Sequence, residues 1–344
     1  MDSNGQRVLL DGANFRGYHY LPEKEMSKTH TKKDYETMRD WGFNVVRLNL
    51  AWSKVEPVKG SYNDEYFSKY VDRDIKWASE CGMYIILDMH TNRWSGKWNG
   101  NGAPGWAVAQ YPATDEGFLS FAEGFWRNAE LRASFVNMWK HVASRYAGVT
   151  TIAGYDLLNE PWQLFDKKKH TPAERWSIIE SFYQEVIDGI RLVDNNHLIF
   201  VEPYISLVTP YLLDPFLSSI RPLNGSNLVW SPHFYYYVYE FYGQPYTHEN
   251  ATLLEDFMSG IHDIFVGRLG QPMWIGEFGI DLRVPGSDAW TQDTVQLFVK
   301  YKVGWAWWAY WRSGSDDSDM YLINKDGTPR TQFLQFLMNP QLTA

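Results

Sequence analysis

Eight short strand-like stretches, several of them nearly continuous in apolarity, alternate with amphipathic helical stretches and limit what this chain can fold into. The strand candidates are residues 12–17, 44–49, 84–88, 152–158, 198–201, 228–231, 273–276 and 304–309. A strand that stays apolar on successive residues has both faces buried, which is the condition of a parallel sheet covered by helices. Helical periodicity falls between them at 31–41, 66–81, 130–146, 174–193, 251–269 and 290–301, with 332–337 closing the chain. Thr31 is placed to cap the first helix, and Gly42 and Gly82 to end the first two. Eight strands with intervening helices predict an α/β fold, a (β/α)₈ TIM barrel in one domain over residues 1–344. No repeat, linker or segment is left over for a second domain.

Composition narrows the function classes. Hydrophobic residues make up 44% and charged residues 21% of the 344, enough for a large core. The formal net charge of −9 argues against nucleic acid or an anionic membrane surface as partner. No apolar run is long enough to span a membrane. Cys81 is the only cysteine, which excludes an internal disulfide and a cysteine metal site, and it reads as a small buried hydrophobe. The polar start of the chain lacks the apolar region of a signal peptide. The protein is then either cytoplasmic or exported with its signal removed, the second slightly favoured. Oligomeric state is not legible.

Polar and ionisable residues gather where strands end: Arg47, Asp88, His90, Asn159, Glu160, His233, Tyr235 and Glu277. In a barrel those positions ring the C-terminal mouth, where substrates bind. Two carry the chemistry of glycosidic cleavage. Glu160 ends the fourth strand candidate in Asn159-Glu160-Pro161, and Glu277 ends the seventh in Gly276-Glu277-Phe278-Gly279. Retaining cleavage needs two carboxyl groups about 5–5.5 Å apart, one to protonate the leaving oxygen and one to attack the anomeric carbon. Barrel closure sets strands four and seven across one mouth.

Asn159-Glu160-Pro161, the later Gly-Glu-Phe-Gly, Arg47, His90 and His233-Phe234-Tyr235 at their strand ends resemble glycoside hydrolase family 5. The resemblance runs over nearly the whole chain. It implies Glu160 as acid/base, Glu277 as nucleophile, and no cofactor or metal. Asn159 is expected to bond the sugar 2-hydroxyl, and His90 to reach the sugar or Asn159. Arg47 and Tyr235 are expected to hold Glu277, and His233 to line the pocket near Glu160. Glu160 should be the more buried or the more proton-retaining of the pair. Trp308, in Trp305-Ala306-Trp307-Trp308, resembles the tryptophan that floors the sugar site. Alternation puts Trp305 and Trp307 on one strand face and Trp308 on the other, without saying which face looks inward.

Aromatic residues reach 17% of the chain. Trp94, Trp98 and Trp106 after strand three, Trp52, and the tyrosine-rich stretch 234–242 are expected to wall the mouth and stack on sugars or an apolar aglycone. Leu87-Asp88-Met89-His90, Gly102 to Trp106, and Trp52 to Gly60 also resemble endoglycoceramidases of the same family. The substrate is therefore a carbohydrate or glycoconjugate: a β-glucan, a mannan or a glycolipid. A transglycosylase using the same glutamates and a non-catalytic glycan-binding barrel are the competing readings. Asp316, Asp317 and Asp319, and Lys167 to Lys169, read as solvated loops, the former with the oxygens calcium would take.

Overall fold

The computed structural model describes residues 8–161, 170–203, 215–240, 243–311 and 320–338. The Lys167–Lys169 run, the Asp316–Asp319 cluster, Phe241 and Tyr242 lie outside them.

Eight strands form one parallel sheet. They are β1 (Asp11–Phe15), β2 (Val45–Leu50), β3 (Tyr84–Met89), β4 (Ile152–Asp156), β5 (Leu198–Val201), β6 (Leu228–Trp230), β7 (Ile275–Phe278) and β8 (Trp305–Tyr310). Neighbours run in the order β6-β5-β4-β3-β2-β1-β8-β7. The ring closes between β6 and β7 through parallel bridges Trp230–Met273 and Phe234–Phe278. The expected α/β barrel is therefore the observed one, with strand limits displaced by one to two residues at most ends.

The helices start where local chemistry favours them. Thr31 and Asp34 form a reciprocal capping box on Lys32–Asp40, and Thr171 and Glu174 do the same for Pro172–Arg191, satisfying N–H groups that a first turn leaves open. Two predicted helices contain wider turns: Phe67–Val71 precedes Asp72–Glu80, and Asp263–Arg268 follows Ala251–His262. The ten-residue helix Asp115–Gly124 was not expected from the sequence, nor were the short helices Glu23–Met26, Trp52–Val55, Pro215–Ser219 and Tyr237–Glu240. Among the described residues no helix is long and apolar enough to cross a membrane. Cys81 is buried and unpaired.

Strand alternation builds the interior in layers. Val45, Ile86, Phe200, Val229, Trp274 and Ala306 plug the barrel as one apolar cluster. Two residues further along the same strands come Arg47, Asp88, Glu202, Ser231, Gly276 and Trp308, because side chains two apart share a face. The plug thus decides the register left open by the sequence. Ala306 points inward, so Trp308 does too, while Trp305 and Trp307 pack outward. Trp307 lies on Phe278 and Phe333, and Trp305 on Phe43 and Phe278.

Candidate active site

The polar layer above the plug is organised by Arg47, which is fully buried. Its Nε donates to Asp156 Oδ2 at 2.9 Å. Its Nη1 donates to Asn14 Oδ1 at 2.9 Å and Glu277 Oε1 at 2.8 Å. Its Nη2 meets Asp88 Oδ1 and Asn159 Oδ1, each at 2.9 Å, and Glu202 Oε1 at 3.1 Å. Arginine suits this position because its planar fork presents five fixed donors and keeps its charge when buried.

Closure between β6 and β7 brings in the next group. The Phe234 N–H donates to the Glu277 carbonyl at 2.8 Å, which places His233 and Tyr235 on either side of Glu277. The Tyr235 hydroxyl donates to Glu277 Oε2 at 3.3 Å. His233 Nδ1 lies 3.1 Å from Glu160 Oε1 and 3.5 Å from Glu277 Oε2. Its Nε2 is 2.8 Å from Glu202 Oε1, an ion-pair contact lying off the N–H axis. Gly276 leaves room for this ring: a Cβ there would sit 3.2 Å from two of its atoms.

Glu160 occupies a tight turn after β4 at φ 41°, a left-handed conformation that side-chain-bearing residues seldom take. Its N–H is held by Glu202 Oε2 at 2.6 Å. One oxygen each of Glu160 and Glu277 lie within 4.8 Å, with a ring nitrogen of His233 in the same span. Among the described residues these three form the one group close enough to hold a metal ion. Three glutamates around His233, Glu160, Glu202 and Glu277, nevertheless make it a proton carrier rather than a lone-pair donor.

Five carboxyl groups, Asp88, Asp156, Glu160, Glu202 and Glu277, face two cations, Arg47 and His233. Buried excess negative charge is relieved by holding protons. Burial pushes Glu277 up to about 7, against the pull of His233 and Arg47. Burial likewise raises Asp88 to about 6, and lifts Asp156 and Glu202. His233 resists its own burial because Glu202, Glu277 and Glu160 surround it, and it stays protonated well above the usual range. Burial also acts upward on Glu160, but the hydrogen bond and charge of His233 outweigh it, leaving that carboxyl below its ordinary value. The Glu160 side chain is 22% exposed and that of Glu277 5%. Both observations reverse the expected order. His233 donates to Glu160 more closely than to Glu277, at 3.1 Å against 3.5 Å.

Asn159 donates from Nδ2 to the Thr91 carbonyl at 3.0 Å, leaving its second N–H for a ligand. His90 Nδ1 lies 2.8 Å from Asp88 Oδ2. Burial, then Arg47, holds His90 neutral, so the N–H belongs on Nδ1 and the Nε2 lone pair remains. Trp308 stacks on His90 at 5.3 Å with ring planes 9° apart, and the Arg16 guanidinium lies 5.4 Å from the centre of its ring. Arg47, Asn159, Glu160, His233, Tyr235, Glu277, His90 and Trp308 therefore converge on one mouth.

Trp98 and Trp52 do not join them. Trp98 donates its indole N–H to the Pro112 carbonyl and packs on Phe121 at 5.6 Å. Trp52 donates to Glu56 and packs on Phe135 and Trp106. Both are almost wholly buried, as is Trp94, while Trp106 is tied to the Glu56 carbonyl. The expectation of an exposed stacking wall is corrected here. The long loop after β3 carries the helix Asp115–Gly124, and its tryptophans form the core between that helix and the barrel. Phe234 and Tyr239 are core as well, leaving half-buried Tyr236 and exposed Val238 at the described rim.

Sequence reasoning missed Asn14, Asp156 and Glu202. Glu202 was legible by the rule that found the others, since it directly follows the fifth strand. Asp156 and Asn14 sit within their strands and offered no such signal.

A closed parallel barrel with two glutamates this close across its mouth is the framework of an enzyme that hydrolyses O-glycosyl bonds. The chain belongs to glycosyl hydrolase family 5: the family model for cellulases of that family matches residues 1–314. It is 23% identical to endoglycoceramidase I of Rhodococcus hoagii over 92% of this chain and 67% of that protein. It is 20% identical to endoglucanase C of Acetivibrio thermocellus, covering 92% and 93% of the two. The chain spans only about half the length of the endoglycoceramidases of Cyanea nozakii and Hydra vulgaris. Among solved structures, endo-glycoceramidase II from Rhodococcus sp. in complex with ganglioside GM3 superposes with a TM-score of 0.82 at 23% identity, over 98% of this chain and 80% of that one.

Proposed function

We propose that the protein is a retaining β-glycosidase in which Glu277 attacks the anomeric carbon and Glu160 serves as acid, then base. The carrying observation is the spacing of the two carboxyls. Oxygens within 4.8 Å match the approach of a retaining pair and leave no room for the water that an inverting pair holds between carboxyls about 6.5–9.5 Å apart. In the first step the Glu277–carbon bond forms as the glycosidic C–O bond breaks, and the proton that His233 Nδ1 shares with Glu160 at 3.1 Å goes through Glu160 to the leaving oxygen. In the second, water attacks the anomeric carbon, its proton passes to Glu160, and Glu277 leaves. Arg47 and Tyr235 orient Glu277 and stabilise its charge. Trp308 floors the sugar, with His90 Nε2 accepting and Asn159 Nδ2 donating to its hydroxyls. No cofactor or metal has a part.

For the substrate we favour a glycan β-linked to a lipid. Endoglycoceramidases are among the relatives, and a lactosyl-enzyme intermediate is known for the superposed Rhodococcus enzyme. Glucan and mannan chains are the alternative that the endoglucanase relatives support. The test is a panel of glycosphingolipids, β-glucans, mannans and aryl β-glycosides, assayed with the wild type and Glu277→Gln. The proposal expects glycan release from glycosphingolipid, lost in the variant. Release from β-glucan alone would overturn the substrate assignment, and unchanged turnover in Glu277→Gln would overturn the mechanism.

A further inference from the structure

Glu202 touches both halves of the polar layer, yet the double displacement gives it no task. It is fully buried at the end of β5. One oxygen, Oε2, accepts the Glu160 N–H at 2.6 Å, where the backbone is held at φ 41°. The other, Oε1, contacts Arg47 Nη2 at 3.1 Å and His233 Nε2 at 2.8 Å. Those two cations are the ones that reach Glu277 and Glu160 on their far sides.

We infer that Glu202 is a positioning residue for the acid/base step: it clamps the Glu160 backbone and, through His233, sets the charge facing the Glu160 carboxyl. The inference rests on the roles proposed for Glu160 and Glu277.

Two functions separate on the two oxygens. A left-handed turn at a residue with a side chain is strained and persists only where its surroundings impose it. The Oε2 contact is such an imposition, because a charge-assisted bond to a backbone N–H fixes the peptide plane from which Glu160 projects. The Oε1 contact acts on charge. Burial lifts Glu202 to about 8, so it and His233 hold their protons against each other across this contact, and as Glu202 ionises the imidazolium charge it retains bears on Glu160 from Nδ1. The groups facing Glu202 are Arg47 from β2, Asp156 from β4, His233 after β6, and the Tyr183 hydroxyl, which donates to the Glu202 carbonyl at 2.9 Å. The groups bearing on Glu160 are His233, His90 and Arg47, with Glu277 across the mouth. Removing one anion from this buried set lowers the proton affinity of the whole.

The experiment compares Glu202→Gln and Glu202→Asp with the wild type, recording kcat/KM of an aryl β-glycoside against pH together with kcat and Tm. Glu202→Gln removes a carboxyl that ionises near pH 8 beside His233, so the alkaline limb of the profile should move to lower pH by about one unit or more. Glu202→Asp keeps the charge but draws it one methylene back from the Glu160 N–H. Its limbs should stay in place while kcat falls about tenfold or more. A uniform loss in Glu202→Gln with the alkaline limb unmoved overturns the charge role, as would be expected of a residue that only supports the fold. Full kcat in Glu202→Asp overturns the clamp, and this variant decides the matter if Glu202→Gln does not fold. A Glu160→Gln control that retains turnover on a glycoside with a poor leaving group would instead overturn the catalytic reading beneath the inference.

Discussion

Replacing Arg47 with lysine asks how much of the barrel interior depends on one guanidinium. Arg47 makes six hydrogen bonds, four of them to carboxyl groups, and has no exposure to water. A lysine ammonium brings three donors from a single nitrogen, so at least half of these contacts are lost. Hydrogen bonds to charged groups contribute about 1.5–3 kcal/mol each, giving a gross loss of about 5–9 kcal/mol. The stranded carboxyls recover part of it by taking up protons, which brings the net cost to about 3–5 kcal/mol. That recovery depends on pH. A carboxyl raised in the folded state is fully stabilising below its unfolded value, and the benefit is lost as pH rises through the folded value. Asp88, near 6, and Glu277, near 7, already lie on this side, and loss of Arg47 moves them further. The deficit of Arg47→Lys is therefore small at pH 5 and full at pH 8. Urea unfolding followed by tryptophan fluorescence at both pH values measures it. A deficit under about 1 kcal/mol at pH 8, or one larger at pH 5 than at pH 8, would refute the reasoning.

Two further outcomes follow from buried groups away from the mouth. Trp98→Ala should cost about 3–5 kcal/mol of stability, since it empties a loop core and strands the Pro112 carbonyl. A raised KM at unchanged Tm would show instead that Trp98 contacts the sugar. Asp11, at the end of β1 away from the mouth, is raised by burial to about 7, and its Oδ1 has no partner. Its stabilising proton is lost between about pH 4 and pH 7, so Asp11→Asn should match the wild type near pH 4. It should exceed it by up to about 4 kcal/mol at pH 8. Parallel Tm–pH curves for the two proteins would contradict this.

The barrel was legible because several strands are nearly continuous apolar runs buried on both sides, and position at a strand end then selected eight converging side chains. What escaped had physical causes. Trp98 was read as surface because loops usually are, but a loop long enough to include the helix Asp115–Gly124 can bury its own tryptophans, and it also covers Trp52, which opens a short helix after β2 and packs on Trp106. The proton order of Glu160 and Glu277 depends on His233, whose reach to both glutamates is fixed by the β6–β7 closure. Nothing in the local sequence around any of the three encodes that geometry. Trp308 could not be oriented from β8 alone, whereas Ala306 in the apolar plug orients it at once.

The central claim is that Glu277 bonds covalently to the sugar. Treating the enzyme with a 2-deoxy-2-fluoro β-glycoside bearing a good leaving group should slow hydrolysis of the intermediate, and peptide mass spectrometry should then place one glycosyl group on Glu277. A glycosyl group on any other residue, or full turnover with no adduct and an inverted first product, would contradict the account.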